Sequence, residues 1–340
     1  MQSFIDKWVT VNNIKINQTK YPPIFYLNWS KNKCRPYKDK HAYFLKELPK
    51  HNFYRKVKWT EGYIYVVGNF PKDQSYNFKK SEITHEQLLK SHLQKCVRRQ
   101  LCTKAISTAY SLMSLNFQSF IRRLPIIMIE DTILHESFST IVWMMLAYPK
   151  WKPTIKQYEW LLGVIYLIAS CNVYDKPELT NIPRNQELSY NHNYGKELYS
   201  LHIRRVFGGL EGDIEIINKY IKIWNNRFIN GDIPKEYIQK IKIVDINSVD
   251  PLVKNDIEYS AVDFHCFRFI LNWINTSYPE YDDVEIRRAI WYGSAGFNKR
   301  HEKNILNTCD KMYKDIWLEI KAEYYKVCKY IINKLDEKNN

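Results

Sequence analysis

Acidic side chains and glycine are the scarce components of this 340-residue sequence. Its 36 Asp and Glu face 51 Lys and Arg, which gives a formal net charge of +15. This imbalance favours a polyanionic partner, nucleic acid first and an anionic membrane surface second, and it says nothing about the fold. Because the chain has only 10 glycines, any cluster of them is informative.

Sequence patterns that define several enzyme and metal-site classes are also missing. The 7 cysteines include no C-x-x-C pair, which excludes zinc-finger spacing, and their odd number favours free thiols in a reducing compartment. No G-x-x-x-x-G-K-[ST] stretch occurs, so the sequence lacks the phosphate-binding loop of an ATPase. The H-E-x-x-H and G-x-S-x-G patterns of metalloproteases and serine hydrolases are absent too.

No apolar run in the sequence is long enough for a membrane span. The most apolar stretch, 160–169, has ten residues, whereas a span needs ~20. The N-terminus lacks the apolar run of a secretory leader. We therefore expect an intracellular protein, cytoplasmic or nuclear, with no membrane partner. The abundance of Ile, Asn, Lys and Tyr indicates an AT-rich genome, such as that of a large DNA virus.

What is present is enough apolar material for a packed core, with 45% hydrophobic residues. The pattern over 56–67 predicts a β-hairpin with a Gly-containing turn. Thr84 and Gln87 predict a capping box at the start of a long helical region. Helices are predicted over 88–97, 103–115, 117–134 with a kink or break at Pro125, 138–148, 155–169, 198–206, 213–224, 259–275, 283–292 and 304–335.

These patterns predict a mainly α fold, with a helical body and a small mixed α/β N-terminal region. Proline and asparagine clusters in 171–196 indicate a loop or boundary. We therefore expect a basic N-terminal region over 1–80 and two helical domains over 81–175 and 176–340.

The segment 31–59 concentrates the positive charge. It contains ten Lys or Arg and two acidic residues, a balance of +8. Aromatic residues are interleaved with the cations at positions 37, 43, 44, 53, 54 and 59. Cations neutralise phosphates, and aromatic rings stack on unpaired bases, so the segment predicts contact with nucleic acid. The alternative is a solvated basic surface whose aromatic side chains face inward.

The first nine residues carry a second candidate for partner binding. Gln2, Ile5, Trp8 and Val9 follow the pattern Q-x-x-I-x-x-aromatic-hydrophobic, which resembles the peptide by which replication and repair proteins bind sliding clamps. One helical turn would place Ile5 and Trp8 on the same side as an apolar plug. The alternative is an amphipathic first turn that packs on the protein's own core.

Two helical segments resemble a known family. Residues 93–99 read L-Q-K-C-V-R-R, and residues 121–131 read I-R-R-L-P-I-I-M-I-E-D. They resemble the C-terminal helical, oligomer-forming region of clamp-loader-like replication-associated recombination ATPases, and Asp263-Phe264-His265 is similar to a later Asp-x-His segment there. The resemblance covers about 88–135 and implies a replication or repair context and homo-oligomerisation. It does not carry ATP hydrolysis, since the ATPase module is absent.

Basic residues beside glycines are the candidates for phosphate contact. Gly208 and Gly209 follow an Arg pair, and Asp213 is expected to cap the next helix, whose N-terminus suits a phosphate. The alternative is an ordinary glycine helix stop. Residues 287–300 contain a similar basic helix end and glycine turn. The predicted nucleic-acid contacts are Arg98, Arg99, Arg122, Arg123, Arg204, Arg205, Gly208, Gly209, Arg287, Arg288, Lys299 and Arg300.

Scattered acids and one histidine are the candidates for catalysis. Mg²⁺ or Mn²⁺ bound by them would give a nuclease, and otherwise no cofactor is expected. The candidate residues are Glu130, Asp131, Asp213, Asp263 and His265. Two alternatives stand beside this hypothesis. Arg122 and Arg123 pair with the acids at 130 and 131 as a structural network, or the histidine is a hydrogen-bonded core residue.

The sequence as a whole favours a DNA-binding accessory protein of replication or repair that docks on a sliding clamp. One alternative is a metal-dependent nuclease that acts on DNA or RNA. The other is a non-catalytic scaffold that binds an acidic partner protein.

Overall fold

The computed structural model describes residues 24–29, 33–37, 53–59, 62–70, 75–175, 195–262, 267–301 and 311–337. The fold is mainly α with a small sheet near the N-terminus, as predicted. Contacts divide the chain into two compact units, each made from two segments of sequence. The first unit contains residues 1–71 and 177–233, and the second contains residues 72–176 and 234–340. The predicted domain division at 80 and 175 stays a prediction.

The sheet of the first unit has four strands in the order β2-β1-β4-β3. They are β1 (Ile24–Asn28), β2 (Lys33–Tyr37), β3 (Phe53–Trp59) and β4 (Gly62–Asn69). Strand β1 pairs antiparallel with β2 and parallel with β4. Strands β3 and β4 are antiparallel and bring residue 59 opposite residue 62, which confirms the predicted hairpin. Phe25, Leu27, Ile64 and Val66 are fully buried.

Two helices complete the described part of the first unit: α5 (Gly195–Val206) and α6 (Glu211–Asn230). Both confirm predicted helices. The turn between them passes through Gly208, whose φ of 86° is in the left-handed region that glycine tolerates best. Helix α6 has Leu210 as its N-cap, so the predicted cap at Asp213 is wrong, because the helix begins earlier and that carboxylate lies in its first turn.

The second unit begins its helical part with α1 (Glu86–Arg98). Its N-cap is His85, whose Nδ1 accepts a hydrogen bond from the backbone N–H of Leu88 at 3.2 Å. The predicted capping box at Thr84 is therefore wrong by one residue. An imidazole nitrogen supplies the acceptor that the first helical turn needs.

Helix α2 (Cys102–Asp131) is interrupted at Asn116, which has non-helical backbone angles. The Asn116 Oδ1 accepts from the Ser119 N–H at 3.1 Å, so this residue restarts the helix as a local cap. The predicted boundary between two helices at this position is confirmed. Pro125 was predicted as a kink or break; the break is wrong, since the helix continues through that buried residue, and the kink stays a prediction.

The other helices of the second unit follow the predicted pattern. They are α3 (Phe138–Ala147), α4 (Ile155–Ser170), α7 (Phe267–Ser277), α8 (Asp283–Ile290) and α9 (Lys311–Glu337), with a π-helix over Trp291–Ala295. Every residue of α3 is buried, which makes it the central helix of the core. Residues 259–261 form a short 3₁₀ turn rather than the predicted start of α7. Among the described residues, no helix is both long and apolar enough to cross a bilayer.

Candidate functional site

Arg98, at the end of α1, lies in a buried polar cluster and is only 7% exposed. Its Nε donates to Oδ1 of Asp131, its Nη2 donates to Oε1 of Glu130 at 2.7 Å, and its Nη1 donates to the Ala295 carbonyl at 2.8 Å. All three guanidinium nitrogens are thus committed within the protein. The residue links α1, the end of α2 and the π-helix.

Asp131 has a carboxyl group enclosed by the same cluster. Burial raises the pKa of Asp131, and the neighbouring Arg98 opposes that shift. The backbone carbonyl of Asp131 accepts from Nδ2 of Asn298 at 3.0 Å. Asp131 and Glu130 therefore meet at Arg98. Within the ranges that the structure describes, no group of three His, Cys, Asp or Glu side chains could hold a metal ion.

Arg300 is held by a set of backbone carbonyls. Its Nη1 donates to the Val97 carbonyl at 2.8 Å, near the end of α1, and its Nη2 donates to the Ile168 carbonyl at 2.7 Å, near the end of α4. Its Nε donates to the Cys171 carbonyl at 2.7 Å. The last carbonyls of a helix lack partners in the helix and carry partial negative charge. Arg300 therefore stabilises the C-terminal ends of two helices at once.

The Arg122–Arg123 pair lies on the same helix as the two acids, about two turns earlier. Nη2 of Arg123 donates to Oε1 of Gln94 and lies 3.6 Å from Oε2 of Glu130. Both arginines are half-buried. The contacts of Arg123 therefore favour the alternative in which the arginine pair forms a structural network with the acids at the end of the helix.

The glycine turn of the first unit is filled by its own side chains. Arg204 is 3% exposed and its Nη1 donates to the Gly208 carbonyl at 2.6 Å. A methyl group added at Gly209 would lie 3.3 Å from Oδ2 of Asp213. Arg205 donates to Nδ1 of a neighbouring histidine and to the side chain of an asparagine in α6. These contacts favour the helix-stop interpretation of the turn.

The two glycines of the second turn, Gly293 and Gly296, leave room for tryptophan rings to pack against the backbone. A side chain at Gly293 would overlap the ring of Trp317, and one at Gly296 would lie 2.6 Å from the ring of Trp291. The cations of this turn that remain exposed are Arg287, Arg288 and Lys299. Nη1 of Arg288 donates to the Tyr313 hydroxyl at 2.7 Å.

The β3–β4 hairpin presents a different kind of basic surface. Lys56 is paired across the hairpin with Tyr65, and Lys58 is paired with Tyr63. The alternation of the strands places these four side chains and Tyr54 on one side, because Val57 is buried between the lysines. We call this surface the hairpin face: Tyr54, Lys56, Lys58, Tyr63 and Tyr65.

Rings and cations of the hairpin face are arranged in contact. The Tyr54 and Tyr65 rings are stacked with centroids 5.6 Å apart and an interplanar angle of 18°. Nζ of Lys56 lies 3.9 Å from the ring centroid of Tyr63. Tyr54 and Tyr63 are 45% and 43% exposed. Tyr54 belongs to the basic segment, so the alternative in which the aromatic rings face inward does not describe this residue.

Several predicted residues lie outside the described ranges. They are the clamp-binding pattern Gln2, Ile5, Trp8 and Val9, the catalytic candidates Asp263 and His265, and most of the basic segment before residue 53. The two β4 tyrosines of the hairpin face were not among the predicted site residues. Their alternation with buried residues over 63–66 was the signal that could have found them.

Comparisons of the chain with protein-family models, with curated proteins and with solved structures gave no match. The resemblance to the recombination ATPases therefore stays a prediction, and the site must be judged by its chemistry.

Proposed function

We propose that the protein binds DNA, as an accessory protein of replication or repair, and that the hairpin face contacts the DNA. The observation that carries this proposal is the exposure of two tyrosines and two lysines on one side of a single hairpin. Exposed aromatic rings on a sheet stack with unpaired bases, and lysines beside them neutralise the phosphates. This combination suits single-stranded DNA better than a duplex, whose bases are already stacked.

The state of the predicted arginines supports the choice of the hairpin. Arg98, Arg204 and Arg300 are committed to acceptors within the chain and are largely enclosed. Binding a phosphate with them would first break these hydrogen bonds, which costs more than using a solvated lysine. The replication context and clamp docking rest on the sequence alone and stay predictions, as do the nuclease and scaffold alternatives.

The test compares two pairs of substitutions on the hairpin face. The first variant combines Tyr54→Ser with Tyr63→Ser, and the second combines Lys56→Gln with Lys58→Gln. Fluorescence anisotropy with a labelled single-stranded oligonucleotide measures binding over a range of salt concentrations. We expect the tyrosine variant to bind about 10-fold more weakly, since stacking contributes about 1–3 kcal/mol per base.

The lysine variant should reduce the slope of log affinity against log salt by about 1.4, the value for two single-strand phosphate contacts. Lys152→Gln, which removes an exposed cation from the second unit, is the matched control and should leave the slope unchanged. Poly-glutamate serves as competitor for the scaffold alternative. Wild-type affinity and slope in both hairpin variants would refute the proposal.

A further inference from the structure

A pocket of about 360 Å³ opens within the second unit. Its lining includes Arg99 at the end of α1, Glu258 and Tyr259 at the 3₁₀ turn, Gly293 of the π-helix, Phe297, and Tyr325 of α9. The volume is in the range of small-molecule sites, which is about 300–1,000 Å³. Short π-helical segments occur often at functional sites, and one of them forms part of this wall.

Arg99 brings unused hydrogen-bond donors to this pocket. Its Nη2 donates to the Ser294 carbonyl at 2.7 Å, and its Nη1 donates to the Lys95 carbonyl at 3.4 Å. A guanidinium has five N–H donors. The other three N–H groups have no acceptor among the described residues. Burial lowers the pKa of Arg99, adjacent Arg98 lowers it further, and Glu258 opposes that shift.

The acid in the lining of the pocket has a second cationic partner. Oε1 of Glu258 accepts from Nζ of Lys104 at 2.5 Å, so this carboxylate already has a cationic partner. A bound anion would accept from the three N–H groups of Arg99 that lack an acceptor among the described residues.

Aromatic side chains form the remaining walls. The rings of Tyr259 and Tyr325 have centroids 5.8 Å apart, and Tyr259 is 37% exposed. The guanidinium carbon of Arg99 lies 5.9 Å from the ring centroid of Phe297. Such walls favour a flat ring over a bare inorganic ion.

We propose that this pocket binds a nucleoside monophosphate, with its phosphate at Arg99 and its base against the tyrosine rings. Glu258 keeps a second carboxylate oxygen, Oε2, that can accept from a sugar hydroxyl. The inference goes beyond the proposed function and does not rest on it, because its residues all belong to the second unit.

Calorimetric titration of the full chain with AMP, adenosine and inorganic phosphate tests the proposal. We expect AMP to bind with a dissociation constant below about 1 mM, and adenosine and phosphate each to bind at least about 10-fold more weakly. Arg99→Gln should weaken AMP binding at least about 10-fold through the loss of a charge-assisted contact. Arg268→Gln, at an exposed position of α7, is the matched control and should bind AMP as the wild type does.

Tyr259→Leu is the second variant, since its side chain is partly exposed and its loss leaves Arg99 in place. It should weaken AMP binding severalfold and leave phosphate binding unchanged. The proposal is overturned if AMP does not bind, or if Arg99→Gln and Tyr259→Leu both bind it with wild-type affinity. The two hairpin variants should bind AMP normally, so failure here is distinct from failure of the DNA-binding proposal.

Discussion

The lysines of the hairpin face and the arginines at the helix ends of the second unit carry the same charge in opposite surroundings. Lys56 and Lys58 are exposed and lie beside tyrosine rings, whereas Arg98 and Arg300 donate to carboxylates and backbone carbonyls inside the fold. Both groups contribute equally to a net charge counted from the sequence. They differ in whether their N–H donors are available to a partner.

This difference teaches that adjacency in the sequence is a poor guide to a phosphate site. A pair of arginines before a glycine turn suggests an anion cradle, yet Arg204 donates to a carbonyl of that turn. A buried guanidinium needs hydrogen-bond acceptors for its N–H groups, and nearby backbone carbonyls provide them. Exposed lysines in a strand have no such requirement.

The largest expected effect comes from removing Arg98. Arg98→Met leaves the buried Asp131 without its cation, so we expect a loss of about 3–5 kcal/mol in the free energy of unfolding. Urea denaturation measures it. The double variant with Asp131→Asn should recover part of the loss, because the unpaired carboxylate is gone. A loss below about 1 kcal/mol in the single variant would show that Arg98 does not stabilise the fold more than an exposed lysine does.

A smaller effect is expected from pH, through His92 in α1. Burial, helped by the positive charge of Lys104, lowers the pKa of His92 to about 3. The unfolded chain takes up this proton near pH 6.5 and the folded chain does not, so stability falls as pH falls from about 6.5 towards 3. At pH 5 the free energy of unfolding should be lower by about 2 kcal/mol, because each pH unit below 6.5 costs ~1.4 kcal/mol.

The control for this prediction is His92→Gln, which can keep a hydrogen bond to the hydroxyl of Thr108, now 2.7 Å from Nδ1. Urea denaturation between pH 6.5 and 4.5 should show a shallower loss of stability in the variant. Equal slopes in the two proteins would show that the histidine is protonated in the folded state.

The smallest effect is expected on the hairpin face. Lys58→Gln should change the free energy of unfolding by less than about 0.5 kcal/mol, since exposed substitutions rarely change it more. Val57→Ala, at the buried position beside it, should cost about 1 kcal/mol or more. Thermal or urea unfolding of the two variants compares the two sides of β3. A similar cost for both would mean that the hairpin face packs against other structure.

The elements of the fold could be predicted because they are local. Apolar spacing identified the hairpin and most helices, and it placed the division of α2 at residue 116. The predictions were wrong where a single side chain determines the residue at which a helix begins or ends. The start of α1 depends on an imidazole acceptor at His85, and the continuity of α2 through Pro125 depends on burial around it.

The candidate sites could be predicted only in part. The cations and aromatic rings of 53–58 belong to the predicted basic segment, but their β4 partners come from strand pairing. The pocket at Arg99 joins side chains more than 200 residues apart in sequence, and no local pattern encodes such a meeting.

The sequence by itself determined the mainly α class, the hairpin and the positive charge of this protein, because periodicity and composition act locally or as sums. Only the tertiary structure decided which cations are available. That choice depends on which carbonyls and carboxylates reach each guanidinium or ammonium group, and those contacts form only when distant segments pack together.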